Sequence, residues 1–116
     1  MNERAVQRLR DALRAAEAVP EFLAGATLEE YKANFGLRLQ IERLLEIVGE
    51  ALNQARKDGD AEAIGTKVPE VGAIIGLRNR ITHGYDQIDD EILWDAATNS
   101  ILTLTEQLKG LLESIE

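Results

Sequence analysis

Apolar residues recur every three to four positions along almost the whole chain, and no stretch alternates regularly between apolar and polar residues. Such periodicity is typical of amphipathic helices, whereas alternation would indicate strands. Helical segments joined by short connections favour an antiparallel bundle over a fold with a sheet. The chain has 116 residues, enough for one domain with one core. We therefore predict a single all-α domain over residues 1–116, an up-down antiparallel four-helix bundle with a kinked first helix.

The first two helical segments carry recognisable signals at their ends. The first covers about residues 2–19, and Pro20 is expected to end or kink it, with a short continuation beyond. The second begins at Thr27, which forms a capping-box pattern with Glu30 three residues later. Its apolar stripe continues to Lys57, which predicts one long helix of about 30 residues.

The other two segments are separated by glycine and acidic residues. Residues 60–69 are expected to form a polar connection, and a third helix should cover about residues 70–82. Gly84 is a natural terminator for that helix. The fourth helix should start after Asp89 and Asp90, which can cap it and suit the positive end of its dipole.

The composition excludes several classes of site and location. The chain has no cysteine and one histidine, so a disulfide, a thiolate metal site or a zinc site built on several histidines is excluded within one chain. We expect neither a metal nor a cofactor. The charged start is unlike a secretory signal, and no apolar run is long enough to cross a membrane. These features predict a cytoplasmic protein.

The charge is unevenly distributed. The formal net charge is −8, and residues 86–116 hold eight acidic residues against one base, Lys109. This segment should repel phosphate and is not expected to lie on nucleic acid. It is either a solvated helix face or a docking face for a basic protein.

Residues 78–85 are the one segment that gathers groups able to perform chemistry. Arg78 supplies a fixed cation, Asn79 an amide, His83 a titratable imidazole and Tyr85 a phenol. If the helix persists, Arg78 and Tyr85 share a face, and Asn79 can face the same way as His83, one turn later. The alternative is that His83 is a polar cap before the helix-ending glycine.

This segment resembles the Arg-x-x-x-x-His-x-Tyr signature of HepT-like toxins in the HEPN (higher eukaryotes and prokaryotes nucleotide-binding) superfamily. Arg78, His83 and Tyr85 occupy its fixed positions, and Asn79 supplies the usual polar residue after the arginine. The flanks also agree. The family's patterns are matched by the Gly-Glu-Ala step in Leu45–Ala51, by Ile74–Asn79, and by Tyr85-Asp86 with Trp94 downstream.

One departure is visible before the signature helix. Many members of the family carry a Pro-Trp pair there, whereas Val71 stands at the expected tryptophan position and Pro69 is one residue off. The difference bears on packing or on the identity of a partner and not on the chemistry.

The resemblance implies a metal-independent endoribonuclease that acts as the toxin of a type VII-like toxin–antitoxin pair. The ribose 2′-OH would attack the adjacent phosphate, leaving a cyclic phosphate and a 5′-OH. Arg78 would stabilise the phosphorane charge, His83 would act as base or acid, and Asn79 would orient the phosphate or the imidazole. Because two proton transfers are easier with two histidines, we expect a homodimer with a composite cleft, as the family also suggests.

Three further residues receive roles or alternatives. The resemblance implies that a nucleotidyltransferase antitoxin transfers adenylate to Tyr85 and thereby silences the toxin, although Tyr85 could instead pack near Trp94 or order His83. Arg80 would support Arg78 in a positive spot, together with N-terminal arginines if these are not simply a solvated face. Glu50 would pair with Arg78 or orient His83, or would simply face solvent.

Two other functions remain alongside the nuclease. The chain could be a non-catalytic module that binds a nucleotide or substrate for a nucleotidyltransferase, or a structural helical dimer with a degenerate site. RNA cleavage separates these functions.

Overall fold

The computed structural model describes residues 1–84 and 88–115, and helices account for most of them. The helices are α1 (Glu3–Leu23), α2 (Leu28–Ala33), α3 (Phe35–Asp58), α4 (Ala61–Lys67), α5 (Val71–His83), α6 (Asp90–Asp95) and α7 (Ile101–Ile115), and a π-helical segment (Ala96–Ser100) joins the last two. No strand occurs within the described part of the chain. The predicted all-α helical bundle is confirmed.

The long helices bury one continuous apolar core. Helix α1 packs against α3 and α7, and α3 also packs against α5. Aliphatic side chains fill the core, as the low aromatic content requires, and among the largest of them are Leu9, Ile41, Leu52, Ile101 and Leu104. Trp94 packs against Tyr31, with ring centroids 5.5 Å apart.

The predicted helix ends are confirmed where a capping side chain or a glycine determines them. Thr27 and Glu30 form both hydrogen bonds of the capping box. The Asp89 side chain caps α6 by accepting from the backbone N–H of Glu91. Gly84 ends α5 in the left-handed conformation, with a φ of 61°. Helix α1 continues through Pro20 to Leu23, so the continuation beyond the proline was the correct alternative.

Three predicted segments need correction. The long second helix is two helices, because the Asn34 side chain caps α3 by accepting from the N–H of Leu37. The expected polar connection over residues 60–69 contains α4, which buries Ile64 in the core. The fourth segment is interrupted by the π-helical segment, where the Thr98 hydroxyl donates to the Trp94 carbonyl.

None of the described helices is both long and apolar enough to span a membrane.

Candidate active site on helix α5

A glycine on α3 sets how closely α5 approaches it. A Cβ atom added at Gly49 would lie 2.8 Å from Cγ of Arg78 and 3.3 Å from the carbonyl oxygen of Ile74. It would also overlap Cβ of Arg78. Only a residue without a side chain fits there, so Gly49 lets the start of the Arg78 side chain lie directly on the α3 backbone.

Arg78 is held by two neighbours. It forms an ion pair with Glu50, the residue next to Gly49, and its Nη1 donates a 2.9 Å hydrogen bond to Oδ1 of Asn79. The predicted pairing of Glu50 with Arg78 is confirmed. The Arg78 side chain is 23% exposed, so its guanidinium remains accessible from solvent. A phosphate can therefore reach it by exchanging with the carboxylate.

Glu50 has a second partner on its own helix. Nε2 of Gln54 donates a 2.9 Å hydrogen bond to the Glu50 carboxylate. This hydrogen bond, and after it the positive charge of Arg78, lowers the pKa of Glu50. The carboxylate is therefore ionised at neutral pH and keeps the guanidinium facing the groove described next.

Arg78 opens onto a groove of about 430 Å³ between α1, α3 and α5, called here the α1–α3 groove. Its lining residues are Arg8, Asp11, Arg43, Glu46, Ile47, Glu50, Ala51, Gln54, Arg78 and Thr82. Of the N-terminal arginines, Arg8 lines this groove together with Arg78. Arg43 and Gln54 were missed at the sequence level, although their spacings of seven and four residues from Glu50 put them on the same face of α3.

Arg80 lies on the other side of α5. It lines a cavity of about 700 Å³ between α5, the start of α3 and the start of α6, called here the α6-side cavity. Its lining residues are Arg38, Glu42, Arg80, Ile81, Gly84, Ile88, Asp89 and Asp90. The structure therefore does not bring Arg78 and Arg80 together in the single positive spot expected for them.

His83 is the last residue of α5 and is exposed. It follows Asn79 by four residues and lies on the same helix face. It lies five positions after Arg78, which corresponds to about 140° around the helix and roughly 7.5 Å along its axis. One chain therefore presents Arg78 towards α3 and His83 towards solvent. Tyr85, the expected modification site, lies outside the described residues.

The face of α5 that carries His83 exposes a row of small and polar residues. Gly72, Gly76, Asn79 and His83 are all exposed, and their spacings of four, three and four residues put them in one row. A Cβ added at either glycine would meet nothing within 4 Å. Backbone is thus open to close approach from outside the chain on the face that carries His83.

Carboxylate and imidazole groups do not cluster here in the manner of a metal centre. Within residues 1–84 and 88–115, no group of three or more such side chains could hold a metal ion. The chemistry available on α5 is that of a guanidinium, an amide and an imidazole.

Comparison with known proteins places this helical bundle among ribonucleases. The family model described as "Ribonuclease HepT-like" matches residues 12–111. A provisionally named RNase of Methanocaldococcus jannaschii, MJ1216, is 26% identical over 93% of this chain and 87% of its own length. A second one from that organism, MJ1380, is 30% identical over 87% of this chain and 90% of its own.

A relative from a second organism is also named as an RNase. The provisionally named RNase TTE0752 of Caldanaerobacter subterraneus subsp. tengcongensis is 29% identical over 90% of this chain and 91% of its own. No solved structure matches the chain. The fold and these matches define the class as an all-α protein of ribonuclease type. The chain belongs to the HepT-like ribonuclease family.

Proposed function

We propose that the chain is a metal-independent endoribonuclease that cleaves RNA in a cleft shared by the two subunits of a homodimer. The observation that carries this proposal is the row of Gly72, Gly76, Asn79 and His83 on the exposed face of α5. It offers a second α5 helix a close approach beside His83. Arg78 lies about 140° around α5 from His83 and is linked to the row by its hydrogen bond to Asn79.

The glycines of that row support pairing between subunits. A glycine inside a helix costs about 0.5–1 kcal/mol relative to alanine. Gly72 and Gly76 are both inside α5, and neither makes room for another part of the described chain. Close packing against a second copy of α5 would explain why both positions are glycine. A two-fold axis at this contact would bring two His83 side chains into one cleft.

Two histidines divide the proton transfers of the reaction between them. One His83 takes the proton of the ribose 2′-OH as its oxygen attacks phosphorus, and the other protonates the O5′ atom as its bond to phosphorus breaks. The products are a cyclic phosphate and a 5′-OH. Arg78 stabilises the charge of the phosphorane, and Asn79 holds the guanidinium in position. Glu50 and Arg80 support the site from the two sides of α5.

We further propose that the chain is the toxin of a toxin–antitoxin pair and that a nucleotidyltransferase antitoxin silences it by adenylylating Tyr85. Tyr85 follows His83 by two residues, so an anionic adduct there would compete with the RNA phosphate for the cationic groups of the cleft. Coexpression with an active antitoxin should add the mass of an adenylate to Tyr85. An unmodified Tyr85 after that coexpression would refute this part of the proposal.

The deciding experiment is RNA cleavage in the presence of EDTA by protein whose Tyr85 is shown by mass spectrometry to be bare. The wild type should cleave, and His83→Ala should be slower by about 10²–10⁴-fold, the usual loss when a general acid or base is removed. No cleavage by the wild type, or equal cleavage by both proteins, would favour the non-catalytic nucleotide-binding module instead.

The shared cleft has its own test. Gly76→Leu places a bulky side chain where the monomer has open space, so the fold should survive while close pairing of α5 helices is blocked. Sedimentation should then show monomers, and cleavage should be lost with the dimer. Gly110→Leu on α7, also at an exposed glycine with open space, is the matched control and should stay dimeric and active. A wild-type monomer that kept full activity at high dilution would contradict the shared cleft.

A further inference from the structure

Arg43 differs from the other charged residues of the α1–α3 groove. Two ion pairs engage three of the groove's charged residues: Arg78 pairs with Glu50, and Arg8 lies 3.6 Å from Asp58, which is outside the groove. Arg43 is exposed and makes no hydrogen bond or ion pair with any residue of the described chain. It is therefore a cation of this groove that no carboxylate neutralises.

The remaining acids of the groove are engaged as well. Glu46 accepts a 3.0 Å hydrogen bond from the Thr82 hydroxyl, and Asp11 accepts a 2.9 Å hydrogen bond from the Gln7 amide. Neither carboxylate turns towards Arg43 as an ion-pair partner. A guanidinium without a carboxylate partner is well suited to a phosphate, which it can bind through two parallel hydrogen bonds.

The position of Arg43 relates it to the candidate active site. It lies on the same face of α3 as Glu50, seven residues earlier, which is about 10 Å along the helix. Glu50 in turn holds Arg78. A strand whose scissile phosphate lies at Arg78 can therefore bring another phosphate of its backbone to Arg43 by following the α1–α3 groove.

The α6-side cavity, on the other side of α5, is less favourable for an RNA strand. The α6-side cavity carries three acids, Glu42, Asp89 and Asp90, against two arginines. In addition, residues 86–116 hold eight acidic residues against one base. Phosphates would be repelled there.

We propose that Arg43 binds a backbone phosphate of single-stranded RNA next to the cleavage point, and that the RNA lies along the α1–α3 groove. This inference rests on the proposed nuclease function and names the path of the substrate. Arg43 positions the RNA and takes no part in the bond-breaking step.

The test measures RNA binding separately from cleavage. A labelled single-stranded RNA of mixed sequence is titrated with the His83→Ala protein, with and without Arg43→Ala, over a series of salt concentrations. Arg43→Ala should weaken binding by about fivefold at low salt. It should also lower the slope of log affinity against log salt by about 0.7, the value for one phosphate contact on a single strand.

Two further variants separate this role from a general effect of charge. Arg14→Ala removes the same charge from an exposed position of α1 outside the groove and should change neither the affinity nor the salt slope appreciably. Arg43→Lys keeps the charge and should restore the salt slope, but it should restore the affinity only in part, because an ammonium does not form two parallel hydrogen bonds to a phosphate. In the cleaving protein with His83 intact, the loss caused by Arg43→Ala should fall on KM rather than on kcat.

Each outcome decides between the two proposals. If the wild type cleaves RNA but Arg43→Ala binds like Arg14→Ala, the RNA path is refuted and the nuclease function stands. If both arginine variants weaken binding equally, net charge explains the loss, and the path is also refuted. If the wild type does not cleave, the nuclease function fails first and the path with it.

Discussion

The two sides of α5 differ in how their arginines are balanced. In the α1–α3 groove, Arg78 has one carboxylate partner, Glu50, and a neutral amide, Asn79. In the α6-side cavity, Arg80 shares the space with three acids, Glu42, Asp89 and Asp90, and with Arg38, which pairs with Asp90. Arginines two positions apart in the sequence therefore lie in different electrostatic surroundings, and one of these suits an incoming phosphate better than the other.

The same contrast appears in two carboxylates of α3. Hydrogen bonding by Gln54 and the charge of Arg78 lower the pKa of Glu50. Burial, and after it the negative charges of Asp90 and Glu46, raises the pKa of Glu42. Helix α3 therefore stabilises the ionised form of Glu50 on one side of α5 and destabilises the ionised form of Glu42 on the other. This difference teaches that hydrogen bonding and burial, with the nearby charges after them, distinguish the two carboxylates, and not the presence of an arginine alone.

The largest effect expected on this comparison concerns the two arginines themselves. Arg78→Ala should reduce kcat for RNA cleavage by about 10²–10³-fold, because a group that stabilises transition-state charge is removed. Arg78→Lys should recover little, since an ammonium does not reproduce the planar pair of hydrogen bonds. Arg80→Ala should cost less than about tenfold, since its charge is already opposed by acids. Equal losses for Arg78→Ala and Arg80→Ala would abolish the distinction between the two sides.

The next largest effect concerns the close approach of α5 to α3 at Gly49. Gly49→Ala should destabilise the fold by about 1–3 kcal/mol, because the new methyl group would force α3 and α5 apart. Chemical denaturation measures this change, and cleavage should fall as Arg78 shifts. Gly110→Ala, where the methyl group meets open space, should instead stabilise by about 0.5–1 kcal/mol. Tolerance of alanine at both positions would show that the close approach at Gly49 is not needed.

A smaller effect is expected at Asn79. Its side chain accepts the hydrogen bond that orients Arg78, so Asn79→Ala should lower kcat by about tenfold, the equivalent of one net hydrogen bond. Asn99→Ala is the matched control, because Asn99 is also exposed and donates to a neighbouring carboxylate, that of Asp95. An unchanged rate for Asn79→Ala would remove Asn79 from the site.

Local chemistry explains which parts of the fold were predictable. The capping box at Thr27 and the glycine end of α5 each depend on residues within one turn, so their sequence patterns predict them directly. The break at Asn34 was missed because the apolar stripe continues across it. At this position the helix ends and restarts because the Asn34 side chain accepts a hydrogen bond from the backbone N–H of Leu37. Helix α4 was missed because the polar residues around Ile64 conceal its single buried position.

Part of the arrangement around α5 was open to sequence reasoning. Glu50 was expected to pair with Arg78, to orient His83 or to face solvent, and the structure shows the ion pair with Arg78. The separation of Arg78 from Arg80 follows from helix geometry, because residues two positions apart lie about 200° around the axis from each other. Which of the two arginines faces the α1–α3 groove depends on how α5 packs against α3, where Gly49 meets Arg78. Such long-range packing leaves no signal in the local pattern around residues 78–83.

The smallest predicted effect sharpens the comparison of the two α3 carboxylates. The folded-state pKa of Glu50 is lowered, so its ionised form stabilises the protein above the unfolded value of 4.5, and this contribution is lost as the pH falls through the folded pKa. The folded-state pKa of Glu42 is raised, so its ionisation costs stability, and that cost develops as the pH rises from 4.5 through the folded pKa.

At pH 7, Glu50→Gln should therefore lower the free energy of unfolding and Glu42→Gln should raise it. Each change should stay below about 1 kcal/mol, because both carboxylates are partly solvated. Chemical denaturation across a pH series measures both, and the two variants should converge with the wild type once the pH is below both folded pKa values. Shifts of the same sign at pH 7 would mean that the hydrogen bond to Glu50 and the burial of Glu42 do not set the two carboxylates apart.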